Sequence, residues 1–100
     1  MYVRFSRGHF ELEQFEEVRQ MLQEGEQNLL PGIRQLPGVM HYYAGIDQAL
    51  GAMVNVSVWD TLEHAEQMST FQPMLDAGKR FRDHGIRFET IINYEVSWQL

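Results

Sequence analysis

The hydrophobic residues of this chain change their spacing from two to about 3.6 residues and back again twice. This order of periods constrains the fold more than any other feature, because apolar alternation is typical of half-buried strands and the longer spacing is typical of amphipathic helices. The alternating segments are 2–7, 39–46, 52–59 and 86–99, and the helical segments begin at Glu11 and Asp60. The order predicts an α+β, ferredoxin-like βαββαβ domain with a four-stranded antiparallel sheet.

Local residues predict where the helices begin and end. Asp60 can cap the second helical segment, and Glu63, three residues later, can reach back to the cap amide. Gly85 is expected to stop that segment, and the first is expected to end in the region of Pro31-Gly32. Two helices of this kind can cover only one face of the sheet, so the other face must meet solvent or a partner.

Composition narrows the class of protein. The 100 residues suit one domain, 1–100, and 44% of them are hydrophobic, as in ordinary globular proteins. There are no cysteines, which is compatible with a cytoplasmic location and excludes thiolate chemistry. The net charge of −6 argues against a nucleic-acid partner. No signal peptide and no apolar run of the ~18 residues that a membrane span needs are found, and the four histidines have no metal-ligand spacing, so we expect no metal.

The hairpin between the second and third strands determines which residues share a face. With the turn centred on 48–50, Tyr43 would face Asn55 and His41 would face Ser57. The valines at 54, 56 and 58 would then join the apolar face and pack on the helices. A mixed face with Arg4, His41, Tyr43, Asn55, Ser57 and Trp59 would point away from them. Such a face is either a solvated or dimer-packed surface, or the wall of a cavity for a mostly apolar ligand.

The stretches "LPGVMHYY" and "MVNVSVWDTLEHAEQMS" resemble the antibiotic biosynthesis monooxygenase (ABM) superfamily. The matching features are the Pro-Gly before the second strand, the third strand ending in Trp59-Asp60, and the acidic start of the next helix. The resemblance covers the whole chain as a layout. It implies a homodimer that forms a dimeric α/β barrel, with a pocket for a small hydrophobic or aromatic molecule in each subunit.

Some members of this superfamily oxidise aromatic polyketides with O₂ and with no metal or flavin. In that subgroup an Asn precedes a Trp by four positions, and Asn55 and Trp59 fit this pattern. The subgroup also has a Tyr on the second helix, where this chain has Ala65, and an Arg for which Arg80 and Arg82 are the substitutes. Haem-degrading members have a His ten residues after the Trp, where this chain has Ser69, so haem degradation is disfavoured.

Individual residues extend this hypothesis. His41 is the candidate for proton transfer, because a free imidazole titrates near neutral pH. Asn55 and Trp59 are the other candidate catalytic residues, and Tyr43, Ser57, Arg4 and Arg82 are candidate ligand-binding residues. The sequence therefore predicts a cofactor-independent monooxygenase acting on a small aromatic or polyketide-like substrate. The alternatives are a non-catalytic or stress-response dimer that binds a small hydrophobic ligand, and a structural dimer without a ligand.

Overall fold

The computed structural model describes residues 1–100 and has the predicted α+β order of elements. The strands are β1 (Tyr2–His9), β2 (Val39–Asp47), β3 (Ala52–Trp59), β4 (Arg87–Phe88) and β5 (Ile92–Glu95). The helices are α1 (Phe15–Ile33), α2 (Leu62–Ala65) and α3 (Gln72–Asp83), with short 3₁₀ turns at Leu12–Gln14 and Glu66–Ser69. The predicted ferredoxin-like layout is confirmed. None of the helices combines the length and apolar character that crossing a membrane requires.

The sheet is antiparallel throughout, in the order β2-β3-β1, and β4 and β5 share the remaining edge of β1. β4 pairs with the end of β1 at Gly8 and His9, whereas β5 pairs with its beginning. The last strand, predicted as one continuous segment over 86–99, is thus two short strands that occupy one position in the sheet. Beyond β5, the N–H of Val96 still donates to the carbonyl of Met1 at 3.0 Å, whereas Trp98 is 84% exposed and does not pack on the sheet.

The predicted hairpin register is wrong by one residue. Tyr43 pairs with Val56 rather than with Asn55, and Tyr42 pairs with Ser57. The reason lies in the turn, where the backbone N–H of Leu50 donates to the carboxylate of Asp47 at 2.7 Å and so shortens the loop. An irregularity between Val39 and His41 restores the pairing of Val39 with Trp59.

The predicted assignment of the β1, β3 and β5 rows to helices and solvent is also wrong. The row of β3 that points to the helices is Met53, Asn55, Ser57 and Trp59, with Met53 and Trp59 almost completely buried. The valines at 54, 56 and 58 are half-buried and lie on the opposite face, beside Val3 and Phe5 of β1. Pleat parity separates these rows correctly, but the larger apolar side chains at the two ends of the odd row pack against the helices.

Two hydrophobic clusters form where the ends of that row meet the helices. One contains Phe10, Val18, Met21, Met53, Phe81 and Ile86. The other contains Ile33, Trp59, Ala65 and Met68. The polar middle of the row, Asn55 and Ser57, lies between the two clusters.

Helix boundaries depend on different groups from those predicted. Thr61, not Asp60, caps α2, because its hydroxyl accepts the backbone N–H of His64 at 3.1 Å. Asp60 instead accepts a hydrogen bond from Nδ1 of His64 at 2.7 Å. α1 continues through Pro31 to Ile33, and the N–H of Arg34 still reaches the carbonyl of Leu30.

Candidate functional site

A cleft of about 1030 Å³ lies between the helix-facing side of the sheet and helices α1 and α3. Its floor is polar, with Arg4 and Ser6 from β1, Tyr42 from β2, and Asn55 and Ser57 from β3. Its walls are mostly apolar or small residues of the helices, namely Met21, Leu22, Gly25, Leu29, Met68, Met74, Ala77, Gly78 and Phe81. An apolar enclosure with a few placed polar groups is typical of a small-molecule site.

The strand register places the polar side chains of the floor in two rows across the sheet. Tyr42, Ser57 and Arg4 form one row, because Ser57 pairs with both of the others. Asn55 and Ser6 lie in the neighbouring row. The prediction that Arg4, Asn55 and Ser57 point away from the helices is therefore wrong: the cleft lies between these residues and the helices of the same chain.

Asn55 is held in place by Tyr42. The hydroxyl of Tyr42 donates to Oδ1 of Asn55 at 3.0 Å, and burial raises the pKa of Tyr42 to about 12, so this hydroxyl stays protonated at neutral pH. The amide nitrogen of Asn55 makes no hydrogen bond within the protein and is not sealed from solvent. The pair therefore presents an N–H donor to the cleft. Tyr42 was not among the predicted site residues. Its alternation with Ala44 and Ile46 is the signal that could have found it, because the observed register places this row on the face of Asn55 and Ser57.

Trp59 is completely buried and does not line the cleft. Its indole N–H donates to the hydroxyl oxygen of Ser57 at 2.8 Å. Because that oxygen accepts from the indole, the hydroxyl hydrogen of Ser57 is free to donate to another group. Trp59 thus acts on the cleft through Ser57 and anchors the second hydrophobic cluster.

Arg4 supplies a positive charge on the floor. One terminal nitrogen of its guanidinium, Nη1, donates to Oδ1 of Asn93 on β5 at 3.1 Å, and no carboxylate lies within the 4.0 Å of an ion pair. Desolvation lowers the pKa of Arg4, and the nearby charge of Glu66 partly opposes this shift. Because an arginine stays protonated even so, Arg4 remains a half-buried cation.

The structure does not bring all the predicted site residues together. His41 and Tyr43 lie on the outer face of the sheet, where their rings stack with centroids 6.1 Å apart. Tyr43 is 59% exposed and borders the cleft only at the β2 edge. Arg82 is exposed and lies at the cleft rim. Ala65 is buried in the second cluster with Trp59, and so gives the cleft no polar group.

No group of three or more His, Cys, Asp or Glu side chains is arranged to hold a metal ion. Three histidines instead form pairs with single carboxylates. His9 contacts Glu89 at 2.6 Å, His64 contacts Asp60, and His84 contacts Glu17. All three pairs are outside the cleft, so the polar groups of its floor come from Tyr, Asn, Ser and Arg, and the helix walls add Gln23, Glu26 and Asp76.

Comparison with known proteins identifies solved structures that share the fold of this chain. No protein-family model and no curated protein sequence matches the chain. A solved structure from Deinococcus radiodurans, provisionally identified as an antibiotic biosynthesis monooxygenase, has a TM-score of 0.78 at 19% identity, covering 100% of this chain and 96% of that one. A protein from Nitrosomonas europaea with the same provisional assignment has a TM-score of 0.75 at 13% identity, covering 98% of this chain and 100% of that one.

A third solved structure has an activity in its description. A mutant of SnoaB, a cofactor-independent oxygenase from Streptomyces nogalater, has a TM-score of 0.66 at 14% identity, covering 99% of this chain and 96% of that one. The chain therefore has the fold of the antibiotic biosynthesis monooxygenases, as the resemblance implied. At these identities the likeness concerns the fold.

Proposed function

We propose that this protein is a cofactor-independent monooxygenase that holds a small aromatic or polyketide-like molecule in the cleft. The observation that carries the proposal is the Tyr42–Asn55 pair, which presents an amide donor on a polar floor beneath apolar helix walls. SnoaB, which shares the fold, is described as a cofactor-independent oxygenase, and this supports the same class of reaction here.

The proposed oxygenation depends mainly on stabilisation of the substrate anion by the protein. A phenol-type substrate that has lost its proton can give an electron to O₂, and the two radicals can then combine. In a monooxygenation of a ring CH₂ group, one oxygen atom enters the new carbonyl and the other leaves as water, so the substrate supplies all the electrons. The amide nitrogen of Asn55 is the donor that favours the anion, and the positive charge of Arg4 elsewhere on the floor adds a favourable longer-range interaction.

The general-base role predicted for His41 does not fit this geometry, because His41 faces away from the cleft. Tyr42 is no substitute, since its raised pKa keeps the hydroxyl protonated. The substrate proton therefore goes to water at the cleft mouth, and the protein promotes its loss by stabilising the oxyanion rather than by accepting the proton.

The test is incorporation of label from ¹⁸O₂ into a tricyclic anthrone-type phenol, followed by mass spectrometry together with oxygen uptake. Wild-type protein should incorporate one labelled atom per product molecule. Asn55→Asp, which keeps the size of the side chain but replaces the donor by an acceptor, should lower kcat by about 10²-fold or more, as the loss of an oxyanion donor does. Gln48→Glu, the same amide-to-carboxylate change at an exposed residue of the turn between β2 and β3 and outside the cleft, is the matched control and should keep full activity.

A non-catalytic role is the second candidate, and Ala65 favours it, because it leaves no tyrosine hydroxyl at the position where the resemblance places one. In that case the same cleft would hold a small hydrophobic ligand without turning it over. Saturable binding of the anthrone with no label incorporation would select this function, whereas label incorporation that Asn55→Asp abolishes would select the enzyme.

We further propose that the protein works as a homodimer, joined through the outer face of the sheet. This face carries Val3, Phe5, Val54, Val56, Val58 and Ile92, and no helix of the chain covers it. Ile92, the first residue of the edge strand β5, leaves 45% of its surface exposed on this face. A second copy that packs its own valine row against this one would bury both apolar faces.

A further inference from the structure

Arg4 differs from every other cation around the cleft. Arg19 and Arg80 are tied to carboxylates of α1, at 2.8 Å and 2.6 Å respectively. Arg82 is exposed at the rim, where solvent screens its charge. Arg4 alone lies on the floor, half-buried and without a carboxylate partner within the protein. A half-buried charge with no carboxylate in contact is costly, so its presence in a cleft points to a ligand that pairs with it.

The guanidinium of Arg4 has N–H donors that have no partner within the protein. Asn93 occupies Nη1, and Nε and Nη2 make no hydrogen bond within the protein. No polar side-chain atom of the protein is both buried and without a partner, so these N–H groups reach solvent, and Arg4 itself lines the cleft. Nε–H and Nη2–H point in parallel along one edge of a guanidinium, the arrangement that binds a carboxylate through both of its oxygens. Asn93 fixes the plane of the group.

We propose that the cleft selects aromatic substrates that carry a carboxylate, which Arg4 binds through its free edge. The inference rests on the proposed function only in that it names the substrate class of the same cleft. Glu66 is near enough for its charge to act on Arg4, though not in contact, so the site tolerates one negative charge better than two. A carboxylate therefore suits it better than a phosphate.

The floor also limits where the reacting group lies. Ser57 is the direct cross-strand neighbour of Arg4, and Asn55 is its diagonal neighbour. A substrate anchored by Arg4 at its carboxylate would thus lie along the polar floor, which also carries the amide of Asn55.

The test is equilibrium binding, measured by calorimetry, of three probes that share one ring system: 2-naphthoate, 2-naphthamide and 2-naphthyl phosphate. Wild-type protein should bind 2-naphthoate about tenfold to a hundredfold more tightly than the amide, the range of a charge-assisted hydrogen-bonded pair. Arg4→Gln should abolish this preference by weakening naphthoate binding, and Arg4→Lys should keep part of it. Arg34→Gln, the same change of charge at an exposed residue outside the cleft, should keep all of it.

The proposal is overturned if wild-type protein binds the amide as tightly as the acid, if it binds neither, if it prefers the phosphate, or if Arg4→Gln keeps the preference for the acid. Circular dichroism of each variant checks that the fold is intact, and Arg4→Lys, which keeps the charge, answers the question if Arg4→Gln does not fold. Because binding is measured without O₂ consumption, this result is separate from that of the oxygenation test. Loss of turnover with the preference intact would refute the oxygenase alone.

Discussion

Replacing Trp59 by phenylalanine should destabilise the protein through two separable effects. The first is loss of the indole N–H that donates to Ser57, a buried hydrogen bond of 2.8 Å. The second is the cavity left by the smaller ring in a position that is 0% exposed. Because Trp59 is buried behind Ser57 and does not line the cleft, any effect on binding should come through the Ser57 hydroxyl.

The magnitudes can be worked out from these contacts. A typical internal hydrogen bond contributes about 1 kcal/mol to stability. Complete truncation of a buried tryptophan costs about 3–5 kcal/mol, and phenylalanine retains more than half of the side chain, so the cavity costs roughly 1–2 kcal/mol. Trp59→Phe should thus lower the free energy of unfolding by about 2–3 kcal/mol, and Ser57→Ala by about 1 kcal/mol.

Urea unfolding followed by far-UV circular dichroism measures both values. The double variant should lose about 1 kcal/mol less than the sum of the two single losses, since the shared hydrogen bond can be removed only once. If Trp59→Phe costs less than about 0.5 kcal/mol, which is the level of a surface substitution, the indole is not the anchor described here. A coupling near zero would refute the Trp59–Ser57 bond itself.

Three further predictions concern regions outside the cleft. Val56→Glu should convert a dimer into a monomer, as measured by sedimentation equilibrium, because it places a charge in the middle of the outer valine row; wild-type protein that is already monomeric would refute the proposed interface. Hydrogen bonds from His9 to Glu89, and from His64 to Asp60, lower the pKa values of the two carboxylates below their ordinary values. The stabilisation from these two carboxylates is present above their ordinary pKa values of about 4 and is lost as pH falls through their lowered pKa values in the folded protein. Glu89→Gln should therefore lose stability less steeply than wild type below pH ~4 in acid unfolding. The same pH dependence in both proteins would count against this prediction. Gly38→Ala should cost more than about 1 kcal/mol in thermal unfolding, since Gly38 has a φ of 80° and a methyl group there would collide with the Asp60 side chain; a stability equal to wild type would contradict this.

Hydrophobic periodicity was sufficient to predict the fold class and the order of elements. Strands β2 and β3 were placed to within a residue, because alternation is strong in both. The division of the last strand into β4 and β5 was not predictable, since the alternation of 86–99 continues across the break. Strand pairing there is determined by β1, which pairs with β5 through Tyr2–Phe5 and with β4 through Gly8 and His9.

The candidate site was predicted only in part, for a reason specific to β3. Pleat parity gave a row with Asn55, Ser57 and Trp59, and the structure keeps that row. The assumption that the most uniformly apolar row packs on the helices failed, because Met53 and Trp59 outweigh three valines in size and contact the helices themselves. Because the hairpin register differs by one residue, Tyr42 rather than His41 shares the face of Asn55 and Ser57.

Because the hydrophobic packing of this protein is concentrated at the two ends of β3, the polar residues between them contribute less to the stability of the fold than the residues of the two clusters do. Asn55 can therefore be exchanged during evolution with a smaller penalty in stability than a residue in either cluster. A scaffold of this kind can acquire new ligand preferences through single substitutions in the middle of one strand, while its architecture persists at low sequence identity.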